Sequence, residues 1–409
     1  MKLLFVAPPF AGHLNRLVRL AETARADGHQ VTFVTGHAKL DALTARGFPA
    51  LAPPFLPPGA LEAIADGHGR TDRRPWNAWA QIRDYVALLP ALTDDLTRII
   101  ERTGTEILVA DSVAIMAGPA AARTGVPWIT TLASPLCLEQ RRGTPGFLGG
   151  LAPPRGPLGR ARDAAGRRAT LLVKSAGFAV LRPRLGTLFP ALRRANGSET
   201  IYSPQAILGL GMTELEFPRD WPAAFEMIGP LHDDLEGAPP VPLPPAARRV
   251  LVTLGTHLRW ARAKWEREVT LLAADLPDWH FTLTRGEARG GAGAWLAPNV
   301  HAVPWLSYAR EVPRHDIVIH QGGTGIAYAA IVAGRPSLVV PHDYDQPDYA
   351  ARIAHHGLGL RARSLRGAAP LLRQLAQEDW PALPLFAAAA RRYDPDARFL
   401  AALDRVARG

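Results

Sequence analysis

The sequence predicts an α/β protein built as two Rossmann-like domains, and three observations carry that prediction. Short apolar, β-branched runs alternate with helical periodicity in both halves of the chain. A proline-dense stretch separates the halves. At 409 residues, 47% of them hydrophobic, the chain has the length and the apolar content for two cores.

In the first half, Lys2 to Ala7 is an apolar run closed by Pro8 and Pro9, as a buried parallel strand would be. The loop Pro8 to His13 follows. Leu14, Leu17, Val18, Ala21 and Ala24 then fall at helical spacing, and Gly28 ends that helix. Val31 to Thr35 is a second strand. The unit is therefore βαβ, and its ligand edge lies at the carboxyl ends of the strands, where His13 sits. Thr105 to Asp111 is another buried strand whose last residue, Asp111, puts a carboxylate on the same edge. From the residues alone His13 is either a solvated histidine at a helix start or a base, and Asp111 either orients it or caps the run 114–124. Val126 to Thr131, Ala206 to Gly211 and Glu226 to Gly229 complete the sheet. Between 52 and 92, and again from 136 to 203, the α/β alternation lapses. These inserts are read as the walls of a pocket, with Trp76, Trp79 and Tyr85, and Phe10 from the first loop, as candidate lining residues that the resemblance named below assigns to an acceptor.

Residues 1–230 are thus one domain, and 231–248, with five prolines between 239 and 245, a semi-rigid linker. The second domain, 249–409, opens on the strand Arg249 to Gly255 and continues through strands at 280–284, 299–303 and 316–319. Its centre is the stretch IVIHQGGTGIAYAAIVAGRPSLVVPHDYDQPDY, 317–349. A β-branched strand runs into Gly322, Gly323 and Gly325, then into an apolar helix. Free N–H groups and the positive dipole end make such a helix start an anion site, although a tight strand-to-helix connection has the same sequence. Asp345 and Gln346, an acceptor carboxylate and a two-way amide, follow the next strand and suit sugar hydroxyls. Residues from about 370 onward are helical.

Composition narrows the function classes. Cys137 is the one cysteine, which rules out a disulfide frame and a cysteine metal cluster. The formal charge of +10 rests on 47 basic residues of which 4 are lysine, scattered rather than clustered, and no nucleic-acid recognition motif accompanies them. No apolar run reaches the roughly 18 residues of a membrane span, and the start of the chain lacks a cleavable leader pattern, so a cytoplasmic protein with no membrane span is expected.

The 317–349 stretch resembles the donor signature of inverting nucleotide-sugar glycosyltransferases of the two-domain GT-B type, those that decorate natural products such as macrolide antibiotics. Gly322, Gly323, Gly325, Gly334, Pro336, Pro341, Asp345 and Gln346 carry the resemblance, and Gly12-His13 with Asp111 match that family's catalytic pair. The resemblance implies that His13 takes the proton from an acceptor hydroxyl while Asp111 holds its ring. It implies a TDP- or UDP-sugar donor held by Gly255, Thr256, His257, Val303, His320, Gln321, Gly322, Gly323, Thr324, Gly325, Asp345 and Gln346, a small aglycone as acceptor, no cofactor and no metal. It also implies that the two domains face a central cleft and that a terminal helix returns to the first domain.

The departures are as informative. Gln321 occupies the slot of the usual diphosphate-binding His, Ala329 that of the ribose-binding Glu, and Arg16 that of a Pro. Without a carboxylate at 329 a ribose 2′-hydroxyl gains little, so a TDP donor is expected over UDP. Two other classes share the architecture: a nucleotide-sugar 2-epimerase, which needs no acceptor, and a non-catalytic nucleotide-sugar-binding protein, which Gln321 would suit.

Overall fold

The computed structural model describes residues 1–66, 75–232, 237–256, 258–287 and 291–409. Two seven-stranded sheets organise them. The first contains β1 (Lys2–Val6), β2 (Gln30–Val34), β3 (Ala50–Leu51), β4 (Ile107–Asp111), β5 (Trp128–Leu132), β6 (Ala206–Gly209) and β7 (Phe225–Met227), in the order β3-β2-β1-β4-β5-β6-β7. All its pairings are parallel, with Leu3 opposite both Val31 and Ile107. The second contains β8 (Arg248–Thr253), β9 (Trp279–Thr284), β10 (Ala294–Ala297), β11 (Val300–Val303), β12 (Ile317–His320), β13 (Ser337–Val339) and β14 (Gly359–Arg361), in the order β10-β11-β9-β8-β12-β13-β14. There β10 is antiparallel and the rest parallel. Strand β10 and the short β3 and β14 escaped the sequence reading because two to four residues carry no periodic signal.

In each sheet the strand order reverses once, between β1 and β4 in the first and between β8 and β12 in the second. Crevices for ligands form at such points, outside the carboxyl ends of the strands. Burial on both faces of the sheets explains the unbroken apolar runs: Leu3, Leu4, Phe5 and Val6 are all buried, as are Ile317, Val318 and Ile319.

The inserts 52–92 and 136–203 are not irregular. Each supplies a long helix, Pro75–Thr103 and Gly156–Leu185. Residues 67–74 of the first insert, residues 233–236 of the linker and His257 lie outside the described residues.

The two domains are held together by contacts between distant parts of the chain. Glu216 and Arg352 form a buried ion pair at 2.9 Å, with the guanidinium 4.5 Å above the Phe217 ring. The Phe147 amide donates to Asp348 at 2.9 Å. The terminal helix Pro395–Arg408 starts with Asp394 accepting from the Ala397 amide and returns to the first domain. Phe399, Ala402, Leu403 and Val406 join the core around Phe5 and Phe33, Phe399 meeting Phe5 edge-on at 6.2 Å, and Asp396 binds Thr23 at 2.6 Å. Phe399 is fully buried, so Phe399→Ala leaves a cavity costing about 3–5 kcal/mol. A clear fall in the urea midpoint is the expected result; an unchanged midpoint would show that the terminal helix does not carry the first domain's stability.

Candidate active site

One cavity of about 630 Å³ lies between the two reversal points, and it is lined from both domains. On the first side it is bounded by the turn after β1 and the start of the helix Ala11–Ala26, which together present Phe10, Gly12, His13 and Arg16. His13 lies in the first helical turn rather than in a loop, so its backbone is fixed by the helix. Asp111 closes β4, is 2% exposed, and has both carboxylate oxygens 3.0 Å from His13 Nδ1. A carboxylate only accepts, so Nδ1 carries the proton and Nε2 is left as the basic nitrogen. The carboxylate is itself held by the Val113 amide at 2.8 Å. It does not cap the following helix, which begins later, at Ala117.

Two opposing effects act on His13. Burial disfavours its charge, but the Asp111 carboxylate outweighs this through its field and hydrogen bond, and Arg16 opposes it only weakly, so the imidazole is raised above its ordinary value.

The opposite wall is the turn after β12. Gln321, Gly323, Thr324, Gly325 and Ile326 line it, with Gly255 and Thr256 from the turn after β8 beside them. The helix Thr324–Val332 has Gly323 as its N-cap, which has no side chain to cap it, so among the described residues its first N–H groups have no capping side chain. The Gln321 amide lies against two glycines, of which Gly255 is at φ +67°, and a side chain at either would push the amide aside. A Cβ at Gly255 would come within 2.6 Å of Gln321 Nε2, and one at Gly323 within 2.7 Å. Asp345 and Gln346 line the adjoining wall, and burial raises the Asp345 carboxyl above its usual range.

Several expected residues are not brought to the cavity. His320 is fully buried, its Nδ1 accepting the Gly322 amide at 3.0 Å, and burial pushes its imidazole down to about 3. Gly322 packs against the Gln346 backbone instead. Val303 is buried in an apolar cluster and its carbonyl accepts from the Arg285 amide at 2.9 Å; Trp305, Leu306 and Ser307 line the cavity just beyond it. Ala329 belongs to the same cluster and is 4% exposed. Trp76 and Trp79 stand on the outer side of the helix Pro75–Thr103, 64% and 37% exposed. At about 100° per residue Trp76 points opposite Tyr85, and it is Tyr85 that lines the cavity, its hydroxyl donating to the Val113 carbonyl at 2.6 Å.

The sequence reading missed His232, Ser134 and Tyr344, all of which line the cavity. His232 was hidden in the linker, and Ser134 and Tyr344 in loops whose only signal is their place after a strand. Cys137 also lines the cavity, but burial pushes its thiol up to about 11, which removes it as a nucleophile. Among the described residues no group of three or more His, Cys, Asp or Glu is gathered as a metal site, and no helix is long and apolar enough to cross a membrane.

Two facing Rossmann-like domains with this cavity between them define the GT-B architecture, and the chain is a glycosyltransferase. Its similarity to known proteins runs along nearly its whole length. It is 26% identical over 385 residues to zeaxanthin glucosyltransferase of Pseudescherichia vulneris, covering 91% of this chain and 88% of that one. It is 27% identical over 422 residues to the elloramycin glycosyltransferase of Streptomyces olivaceus, covering 100% and 96%. Among solved structures, the glycotransferase of kitacinnamycin superposes with a TM-score of 0.74 at 20% identity, covering 99% of this chain and 98% of that one. A Streptomyces sp. SF2575 glycosyltransferase complexed with thymidine diphosphate gives 0.68 at 18% identity, covering 99% of each chain. No family model matches the chain.

The opposing effects on His13 can be separated. In Asp111→Asn the main attraction that raises the imidazole is lost while burial, Arg16 and the smaller pull of Asp345 remain, so its titration moves to lower pH than in the wild type. NMR titration of the His13 ring reads this directly; an unmoved midpoint would show that Asp111 does not set the charge of His13.

Proposed function

We propose that this enzyme moves a hexose from a TDP- or UDP-sugar to a hydroxyl of a small, largely apolar natural product, by a single displacement that inverts the anomeric carbon. The observation that carries this reading is the His13–Asp111 contact at 3.0 Å in one wall of a cavity whose facing wall is the uncapped start of the helix Thr324–Val332. Nε2 of His13 removes the acceptor's proton, and Asp111 stabilises the imidazolium that forms. The nucleoside diphosphate leaves toward the helix N–H groups, which lower the cost of its growing charge. Asp345 and Gln346 hold the sugar. The acceptor lies against Phe10, Tyr85, Leu61 and Ile82, whose apolar surface suits a flat aglycone. In this reading the helix start and the neighbouring polar groups do the work given to a metal in other transferases, so prolonged dialysis against a chelator leaves the rate unchanged.

Donor preference follows from the carboxylates available. Asp345 is the one acidic residue among the described residues lining the cavity, and it sits at the sugar end, so none is placed for a ribose 2′-hydroxyl. TDP is therefore the favoured nucleotide. Calorimetric titration of the wild type with each is expected to give TDP an affinity equal to or better than that of UDP; UDP binding more than about tenfold tighter, roughly 1.4 kcal/mol, would overturn this.

His13→Ala is expected to lower turnover by about 10²–10⁴-fold while TDP affinity stays nearly constant, because the ring acts only when the proton leaves. Wild type and variant are incubated with a panel of TDP- and UDP-sugars and a phenolic acceptor, and the products read by mass spectrometry. Glycoside from the wild type alone supports the assignment. Near-full activity in the variant refutes the base, an epimerised donor points to the epimerase, and donor binding without any product points to an auxiliary binding protein.

A further inference from the structure

The turn that receives the donor's diphosphate in the reading above has no cation of its own. Gln321 is a neutral amide, and His320 is sealed in the fold with Nδ1 engaged by the Gly322 amide. An arginine from the other domain stands at this place. Arg16, one helical turn after His13, is 3% exposed and lines the cavity. Its guanidinium reaches across the cleft: one nitrogen donates to the Ala133 carbonyl at 3.1 Å and another to the Thr324 hydroxyl at 2.6 Å, at the first residue of the helix behind the glycine turn. A Cβ at Gly325 would lie 3.6 Å from that second nitrogen, so the group rests on the turn itself.

Both of these partners are neutral oxygens. A buried guanidinium is strongly disfavoured unless an anion meets it, and burial accordingly weakens its hold on its proton even with Asp111, Asp345 and two tyrosines in its surroundings. Beside it Gln321, from the same turn, lines the same pocket and is 7% exposed. A cation with planar, forked donors, buried at an uncapped helix start, is the complement of a diphosphate.

We propose that Arg16 is the cationic ligand of the donor's diphosphate, supplied across the cleft by the acceptor-side domain in place of an imidazolium that the glycine turn lacks. The inference rests on the reading that this turn holds a nucleoside diphosphate. It gives one helix two tasks: His13 addresses the nucleophile and Arg16 the leaving group, one turn apart. It also ties donor binding to cleft closure, since the diphosphate bound by the second domain completes its contacts only when the first domain is docked.

The test uses the full chain with Arg16→Met, which removes the charge but keeps the length of the side chain, and Arg16→Lys, which keeps the charge without the fork. The hydrogen-bond partners of Arg16 are neutral oxygens, so Arg16→Met breaks no ion pair there, and thermal melting checks that the fold is kept. TDP is titrated by calorimetry and thymidine, which has no phosphate, by ligand-observed NMR. For Arg16→Met, TDP affinity is expected to fall about 10–100-fold, the worth of charge-assisted hydrogen bonds, with thymidine within about twofold of wild type and Arg16→Lys intermediate. Unchanged TDP affinity in Arg16→Met overturns the proposal, and so does an equal loss for TDP and thymidine, which would make Arg16 a strut between domains. A wild type that binds neither TDP nor UDP instead overturns the functional reading on which the proposal stands.

Discussion

The cavity exists only because two parallel sheets are held with their carboxyl edges toward each other, and the Glu216–Arg352 pair is a buried ion pair that joins them. Its side chains are 1% and 3% exposed, and Arg352 donates through two nitrogens to one Glu216 oxygen, at 2.9 and 3.1 Å. The other Glu216 oxygen has no partner among the described residues. Taking two charges out of water costs several kcal/mol each, and an incompletely bonded pair recovers only part of that. Its value lies in geometry. A planar guanidinium stacked on Phe217 and forked onto a carboxylate accepts one relative placement of the two domains far better than its neighbours.

That placement sets the electrostatics of the site. His13 belongs to the first sheet's edge and is pulled toward the charged form by Asp111, against burial. Arg16, on the same helix, is pushed toward the neutral form by burial. The same enclosure thus sharpens both, because hydrogen bonds and charge pairs strengthen when water is excluded, while an unmet charge becomes more costly. Apolar residues from the long helix Pro75–Thr103 and the loop after β5 supply that exclusion.

Residues placed at the cleft by the end of a buried strand were legible in the sequence. His13, Asp111 and the 321–325 turn each follow an apolar run whose polarity and period fix where the chain reaches the cleft edge. Residues placed by helix phase or by tertiary contact were not. Trp76 and Tyr85 lie in one helix that the proline-flanked sequence concealed, and without its phase an aromatic on the outer face cannot be told from one on the inner. Val303 and His320 sit where the motif puts them, yet β-pairing and a local amide bond consume their polar atoms. Arg16 showed only as a departure from a pattern. Its meaning needs Thr324, 308 residues away, which is a fact of domain docking and not of local sequence.

The loop before Gln346 shows how the fold divides labour between two neighbouring polar groups. Tyr344 sits at φ 56°, a left-handed conformation uncommon for a side-chain-bearing residue, and its hydroxyl is 3.0 Å from Gln81 Oε1 on the long helix of the other domain. The turn is kept by Gln346, whose Oε1 accepts the amides of His342 and Asp343 at 3.0 and 3.1 Å. With its oxygen spent on the backbone, Gln346 has only its Nε2 donor left for a ligand, beside the acceptor oxygens of the Asp345 carboxyl. One donor and one acceptor side by side are what vicinal hydroxyls of a hexose require, since each hydroxyl both gives and takes a hydrogen bond. In the function proposed above the strained turn would serve the sugar: it orients the amide so that the pair reads as complementary groups instead of as two competing acceptors.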